Sequence, residues 1–174
     1  RRDRRGDRRA LRRRSAGSAG VTASPVLGPE ILHAGLIARR HDGLWRGALI
    51  EGPSGVGKSD LALRALDHGF RLVADDRVVA FTAGGRLYGK APETLAGLIE
   101  VRGLGVVAAA SPLPVCEIAV IIRCVAAPDA VERLPDPRAR IVAGMSVPVF
   151  DLWPREPAAP LKIVRIMQSL GVPL

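Results

Sequence analysis

The run Gly52-Pro53-Ser54-Gly55-Val56-Gly57-Lys58-Ser59 fits G-x-x-x-x-G-K-[ST], a loop that wraps backbone N–H groups around nucleotide phosphates. It constrains the fold because it works only where a strand delivers it and a helix receives it. The glycines admit positive φ and a close backbone approach, and successive N–H groups form an anion-binding nest. Lys58 can reach the β and γ phosphates, and Ser59 places a hydroxyl for Mg²⁺ at a helix N-terminus that favours negative charge. Both flanks are legible. Ala48-Leu49-Ile50 is a short apolar run, and Leu61, Ala62, Ala65 and Leu66 share one helical face before Gly69 stops the helix. A Gly-rich turn that merely fits the pattern is the plainer reading, and the flanking elements weigh against it.

The formal charge of +9 suggests a nucleic-acid binder until it is divided along the chain. Residues 1–14 hold nine Arg against Asp3 and Asp7, a net +7, so only +2 remains for residues 15–174. Such a block, followed by Ser15-Ala16-Gly17-Ser18-Ala19-Gly20, reads as a solvated tail and linker over residues 1–25. Residues 26–174 are then one compact domain of ordinary globular composition. With 3% aromatic residues there is little for base stacking, and no nucleic-acid partner is expected. No apolar run reaches the roughly 18 residues of a membrane span, which points to a cytoplasmic protein with no membrane partner. Cys116 and Cys124 lie in an apolar run without metal-site spacing and read as reduced core thiols.

Glu30 to Ala38 and Leu44 to Ile50 read as strands joined at Arg40-His41-Asp42-Gly43, a hairpin signal. His33 then faces Ile50 or, with a tighter turn, Gly52; either register sets it beside the phosphate loop. A lone His on a strand is more often structural than catalytic. After the helix, Arg71 to Ala74 is a second strand ending in Asp75-Asp76, and a strand–loop–helix–strand unit puts both aspartates at a carboxyl end, where open α/β sheets bind ligands. Capping of the next turn is the plainer role for them. Beside a phosphate loop, a carboxylate also serves to organise Mg²⁺ or accept the proton of an attacking hydroxyl.

Val78 to Phe81 and Arg86 to Tyr88 form a further expected hairpin, Pro92 to Ile99 a short helix, and Val115 to Val125 a buried strand. Glu132 to Arg138 is a polar, proline-punctuated loop, Ile141 to Val149 a strand, and Pro160 to Leu170 a closing helix stopped by Gly171.

Three stretches taken together, Gly52 to Leu63, Leu72-Val73-Ala74-Asp75-Asp76-Arg77-Val78 and Glu100-Val101-Arg102-Gly103-Leu104-Gly105, resemble HPr kinase/phosphorylase over about residues 30 to 150. The likeness is to its C-terminal catalytic domain, in a short form without the N-terminal domain. It implies an α/β fold with a mixed β-sheet flanked by helices, a P-loop fold similar to phosphoenolpyruvate carboxykinase. It also implies an ATP- and Mg²⁺-dependent kinase acting on a seryl residue of the phosphocarrier protein HPr, assembled as a hexamer. By resemblance, Gly52, Pro53, Ser54, Gly55, Val56, Gly57, Lys58 and Ser59 hold the ATP phosphates, and Ser59 with Glu100 binds Mg²⁺. Asp76 matches the general base, His33 the active-site histidine, and Arg133 the arginine that stabilises the transferring phosphoryl group.

The chain departs from longer members at Val147-Pro148-Val149-Phe150-Asp151-Leu152-Trp153, where they carry Pro-Val-Arg-Pro-Gly-Arg-Asn, a stretch linked to dephosphorylation. The resemblance therefore carries the kinase half and leaves the phosphorylase half open. Lys162 and Arg165 on the closing helix fit either an acidic partner or a solvated face. The rival readings are another P-loop kinase or ATPase acting on a small molecule, and a nucleotide-sensing module without transfer.

Overall fold

The computed structural model of the chain describes residues 28–41 and 43–170. The tail and linker expected over 1–25, Asp42 of the hairpin and the helix stop at Gly171 lie outside the described residues. The elements are, in order, β1 (Glu30–Leu32), β2 (Gly35–His41), β3 (Leu44–Glu51), α1 (Lys58–Leu66), β4 (Phe70–Ala74), β5 (Val78–Ala83), β6 (Arg86–Lys90), β7 (Leu98–Val101), β8 (Gly105–Ala108), β9 (Cys116–Cys124), β10 (Arg138–Val142), β11 (Met145–Leu152) and α2 (Ala159–Ser169).

The main sheet is mixed and runs β1-β5-β6-β9-β3-β2-β4. At its centre β3 and β9 are parallel, and β9 forks the sheet: its start pairs β6 at Gly89↔Cys116, and its end pairs β11 from Val149↔Ile121 to Leu152↔Cys124. Alternate residues of these strands enter two separate cores. Ala48, Ile50, Val120 and Ile122 pack beneath the helices, while Leu49 and Ile121 face the other way. Strands buried on both faces read as nearly unbroken apolar runs, as these do.

Both helices lie on the same face, where Leu61, Ala62 and Ala65 of α1 join Ile163 and Met167 of α2 in one cluster. The expected flanking by helices is thus realised on one side only. The second face is covered by the sheet itself, which curls so that Val78, Ala80, Leu87 and Val147 close over Leu36, Leu49 and Ile121. The curl depends on missing side chains: a Cβ on Gly89 would stand 2.6 Å from Leu36 Cδ2, and one on Gly47 3.0 Å from Leu36 Cδ1. Here a glycine is a packing residue.

Several expected elements are placed differently. The Glu30–Ala38 strand is broken at His33 and Ala34, because β1 pairs β5 whereas β2 pairs β3. In the β2–β3 hairpin His41 faces Leu44, so Gly35 faces Ile50, the tighter of the two registers. β4 is parallel to β3 but not its neighbour, since β2 lies between them, antiparallel to both. Pro92 to Ile99 is not a helix: one 3₁₀ turn at Glu93–Leu95 is ended by Gly97 (φ +74°), and Leu98 and Ile99 already belong to the β7–β8 hairpin. Ile141 to Val149 is likewise a hairpin, turning at Ala143 (φ +43°) and Gly144 (φ +81°). The β5–β6 hairpin forms around Gly84 and Gly85, both at positive φ, the geometry that matches strand twist in a two-residue turn.

Candidate active site at the phosphate loop

The loop leaves β3 at Glu51 and closes on α1 at Lys58. Its shape demands glycine at both ends. Gly52 sits at φ +144°, where an added Cβ would lie 2.7 Å from the Cys124 carbonyl oxygen, and Gly57 at φ +116° caps α1 directly against Pro154. Lys58 is nearly buried and donates to the carbonyls of Gly52 (2.9 Å) and Pro53 (3.0 Å), so the loop carries its own counter-dipoles for the ammonium. Val56 is buried in the helix-side core and pins the arch from below.

β4 delivers the two aspartates with opposite orientations. Asp75 is buried, accepting from Ser59 Oγ on Oδ1 (2.9 Å) and from the Glu100 backbone N–H on Oδ2 (3.0 Å). One carboxylate thereby locks the helix start to β7. Asp76 takes the left-handed region (φ +67°), uncommon for a residue with a side chain, and this turns its carboxylate outward. There it meets His33 Nδ1 at 3.1 Å from Asp76 Oδ1, while the Asp76 carbonyl accepts from Ala34 N–H at 3.1 Å. The break between β1 and β2 is what frees His33 to make this contact.

These groups share one cleft of about 510 Å³, lined by His33, Lys58, Ser59, Asp76 and Glu100 together with Ser54, Gly55 and Gly57 of the loop. Gly52, Pro53 and Val56 of the loop do not line the cleft. Arg133 is not among the lining residues; it is exposed on the segment between β9 and β10. Arg102 and Arg155 line the cleft in addition. Asp75 was visible in the sequence as half of a pair, but its task differed from that of Asp76 only once burial separated them. Arg155 had no motif to announce it.

Cys124 runs beneath the loop, its thiol pushed up to about 12 by burial, which outweighs the pull of Lys58 in the other direction. Cys116 is likewise pushed up to about 12 by burial, with Glu117 adding to it. Both are free, buried thiols and chemically quiet. Next to β9, Asp151 receives Arg123 at 2.5 and 2.7 Å and Arg138 at 2.7 Å; the Arg123 hydrogen bonds foremost hold its carboxyl below the ordinary range, against burial. On α2, Lys162 Nζ donates to both oxygens of Glu156 (2.6 and 2.7 Å), and Arg165 donates to Gln168 (2.8 Å). Among the described residues, no helix is long and apolar enough to cross a membrane.

Residues 41–115 match the family described as HPr Serine kinase C-terminal domain. HPr kinase/phosphorylase of Brevibacillus brevis is 52% identical over 62 residues, covering 35% of this chain and 20% of that protein. HPr kinase/phosphorylase of Mycoplasmopsis pulmonis is 43% identical over 82 residues, covering 44% of this chain and 26% of that protein. The matches thus span only a fifth to a quarter of the length of these relatives. A solved structure, of the Hpr(Ser) kinase/phosphatase from Coxiella burnetii, superposes over 82% of this chain and 91% of its own with a TM-score of 0.67 and 26% identity. The chain is similar in sequence, over residues 41–115, to that C-terminal domain family, and in its mixed α/β fold to the Coxiella structure.

Proposed function

Taking that similarity as premise, we propose that this chain is the catalytic domain of an ATP-dependent kinase that phosphorylates a seryl residue of the phosphocarrier protein HPr. The observation that carries the proposal is the arrangement of the cleft: a phosphate loop with its Lys58 on one wall and an outward-facing carboxylate, Asp76, paired with His33 on the other. A nucleotide phosphate chain bound in the loop would present its end toward that carboxylate.

In this reading the backbone N–H groups of residues 54–59 and the Lys58 ammonium bind the phosphates, giving up the Gly52 and Pro53 carbonyls as partners. Asp76 orients the seryl hydroxyl and accepts its proton, and His33 holds the carboxylate in place. Both side chains are more than half exposed, 57% and 58%, so a protein acceptor can reach them. Arg133 adds positive charge at the transferring group, which requires its segment to come over the cleft. The fold reading that goes with this is the P-loop fold similar to phosphoenolpyruvate carboxykinase.

The residues suit Mg²⁺. Ser59 Oγ and the Glu100 carboxylate offer hard oxygen donors at the cleft, and the buried Asp75 accepts from Ser59 behind them. An ion of this kind is bound through one or two carboxylates plus substrate phosphates. Ser59 and Glu100 would hold it, with Asp75 orienting Ser59, and it would neutralise charge on the phosphates. A hexamer and a cytoplasmic setting belong to the same reading.

Incubating the purified chain with Mg²⁺, ATP and HPr, then mapping phosphate by mass spectrometry, tests the proposal. HPr phosphorylated on serine only when all components are present is the expected result. ATP hydrolysis indifferent to HPr would instead favour a small-molecule kinase or ATPase. Release of that phosphate by added inorganic phosphate would extend the assignment to the phosphorylase half.

A further inference from the structure

We infer that Arg155 is a phosphate-contacting residue of this cleft, supplying a guanidinium to the polyphosphate chain of the bound nucleotide. The inference rests on the nucleotide-binding reading above and adds a residue that no motif announces.

The segment between β11 and α2 lies directly on the phosphate loop. A Cβ built on Gly57 would meet Pro154 Cγ at 3.6 Å and Arg155 Cγ at 3.9 Å, so the stem of Arg155 crosses the glycine that opens α1. The backbone on either side of it is fastened. Arg64 of α1, itself paired with Asp60 Oδ2 at 3.0 Å, donates to the carbonyls of both Pro154 and Glu156. Lys162 then fixes the Glu156 carboxylate from α2.

The guanidinium at the end of this fastened stem is left almost unused. Arg155 is exposed, and its one recorded hydrogen bond, to the Gly55 carbonyl, is stretched to 3.5 Å, at the limit of such a bond. Among the described residues no carboxylate forms an ion pair with it. A guanidinium lining the same cleft as Lys58, on a fastened backbone, can take an anionic partner without first breaking an ion pair. Its planar fork suits two phosphate oxygens at once, where a lysine would offer only a point charge. Lys58 donates to two loop carbonyls, whereas Arg155 has only the long contact to the Gly55 carbonyl to exchange for phosphate oxygens.

The test measures binding of Mg·ATP and Mg·ADP by calorimetry for the wild type, Arg155→Gln and Arg155→Lys, with melting temperatures recorded without nucleotide. Gln keeps much of the stem over Gly57 but removes the charge. The expected result is affinity about tenfold weaker in Arg155→Gln for both nucleotides, with partial recovery in Arg155→Lys, a shallower salt dependence, and an unchanged melting temperature. Unchanged affinity in Arg155→Gln, or a loss of affinity matched by a lowered melting temperature in both variants, would overturn the inference and leave Arg155 a packing residue. A wild type that binds neither nucleotide would instead overturn the nucleotide reading itself.

Discussion

His33 Nδ1 lies 3.1 Å from Asp76 Oδ1, although the two residues come from different strand ends and Asp76 reaches this position through a left-handed backbone. The contact aims one carboxylate across the cleft while its neighbour, Asp75, is spent inside on Ser59 and Glu100. Removing the imidazole should let the Asp76 carboxylate swing. His33→Ala should lower the rate of phosphoryl transfer by about 10²-fold, the lower end of general acid–base effects, while Mg·ATP binding stays within twofold to threefold of wild type. Single-turnover transfer alongside a binding titration separates the two; equal losses in both would remove His33 from the transfer step.

Gly52 tolerates no side chain. Gly52→Ala would drive a methyl to 2.7 Å from the Cys124 carbonyl in a left-handed backbone, and should cost about 2 to 5 kcal/mol. It should also abolish nucleotide binding. Gly84→Ala is the comparison, a positive-φ glycine with nothing within 4 Å of a new Cβ, and should cost about 1 kcal/mol. Thermal melts of both variants check this, and similar losses would contradict the packing argument.

Acid should act on the fold through Asp151. Hydrogen bonds from Arg123, then Arg138, hold its folded carboxyl below the ordinary range. The folded state therefore binds fewer protons than the unfolded one there. The stability this pair contributes is fully present above the ordinary carboxylate value near about 4, and is lost as pH falls through the lowered folded value. Glu51 works the other way: burial raises its folded carboxyl, so its contribution is present when protonated and is lost as pH rises through the raised value. Denaturant midpoints recorded between pH 3 and pH 7, roughly, should fall toward the acid end more steeply in wild type than in Asp151→Asn, which should itself be about 1 to 3 kcal/mol less stable at neutral pH.

Burial makes both thiols poor nucleophiles, each pushed up to about 12. Iodoacetamide at mildly alkaline pH should leave Cys116 and Cys124 unmodified in the native protein and label both in denaturant. Rapid native labelling of Cys124 would mean that the floor of the phosphate loop opens in solution.

The sequence announced what is local. The loop, the start of α1 and the Asp75-Asp76 pair follow from short-range rules about glycine, helix termini and strand ends, and each lies where those rules place it. Non-local choices were hidden. Glu30 to Ala38 is apolar enough for one strand, and only the competing partners β5 and β3 break it at His33. Pro92 to Ile99 carries a plausible helix start, but Leu98 and Ile99 gain more by pairing with Val107 and Ala108 in a hairpin against α1. The one-sided placement of the helices could not be read either. It depends on Gly47 and Gly89 admitting Leu36, and Gly89 lies far from Leu36 in the chain. Arg155 was invisible for the same reason, since its place over Gly57 is set by Arg64 fastening a distant turn.

The central claim is that Asp76 activates an acceptor hydroxyl opposite a phosphate-binding loop, and one comparison tests it directly. Label transfer from γ-³²P ATP to HPr should be measured for wild type and Asp76→Asn at matched nucleotide occupancy. Asn suits the left-handed backbone at this position and keeps the side chain's shape while removing its negative charge. The account predicts serine labelling of HPr by wild type, at least about 10²-fold slower in Asp76→Asn, with ATP bound equally by both. Equal labelling rates in the two proteins would contradict it.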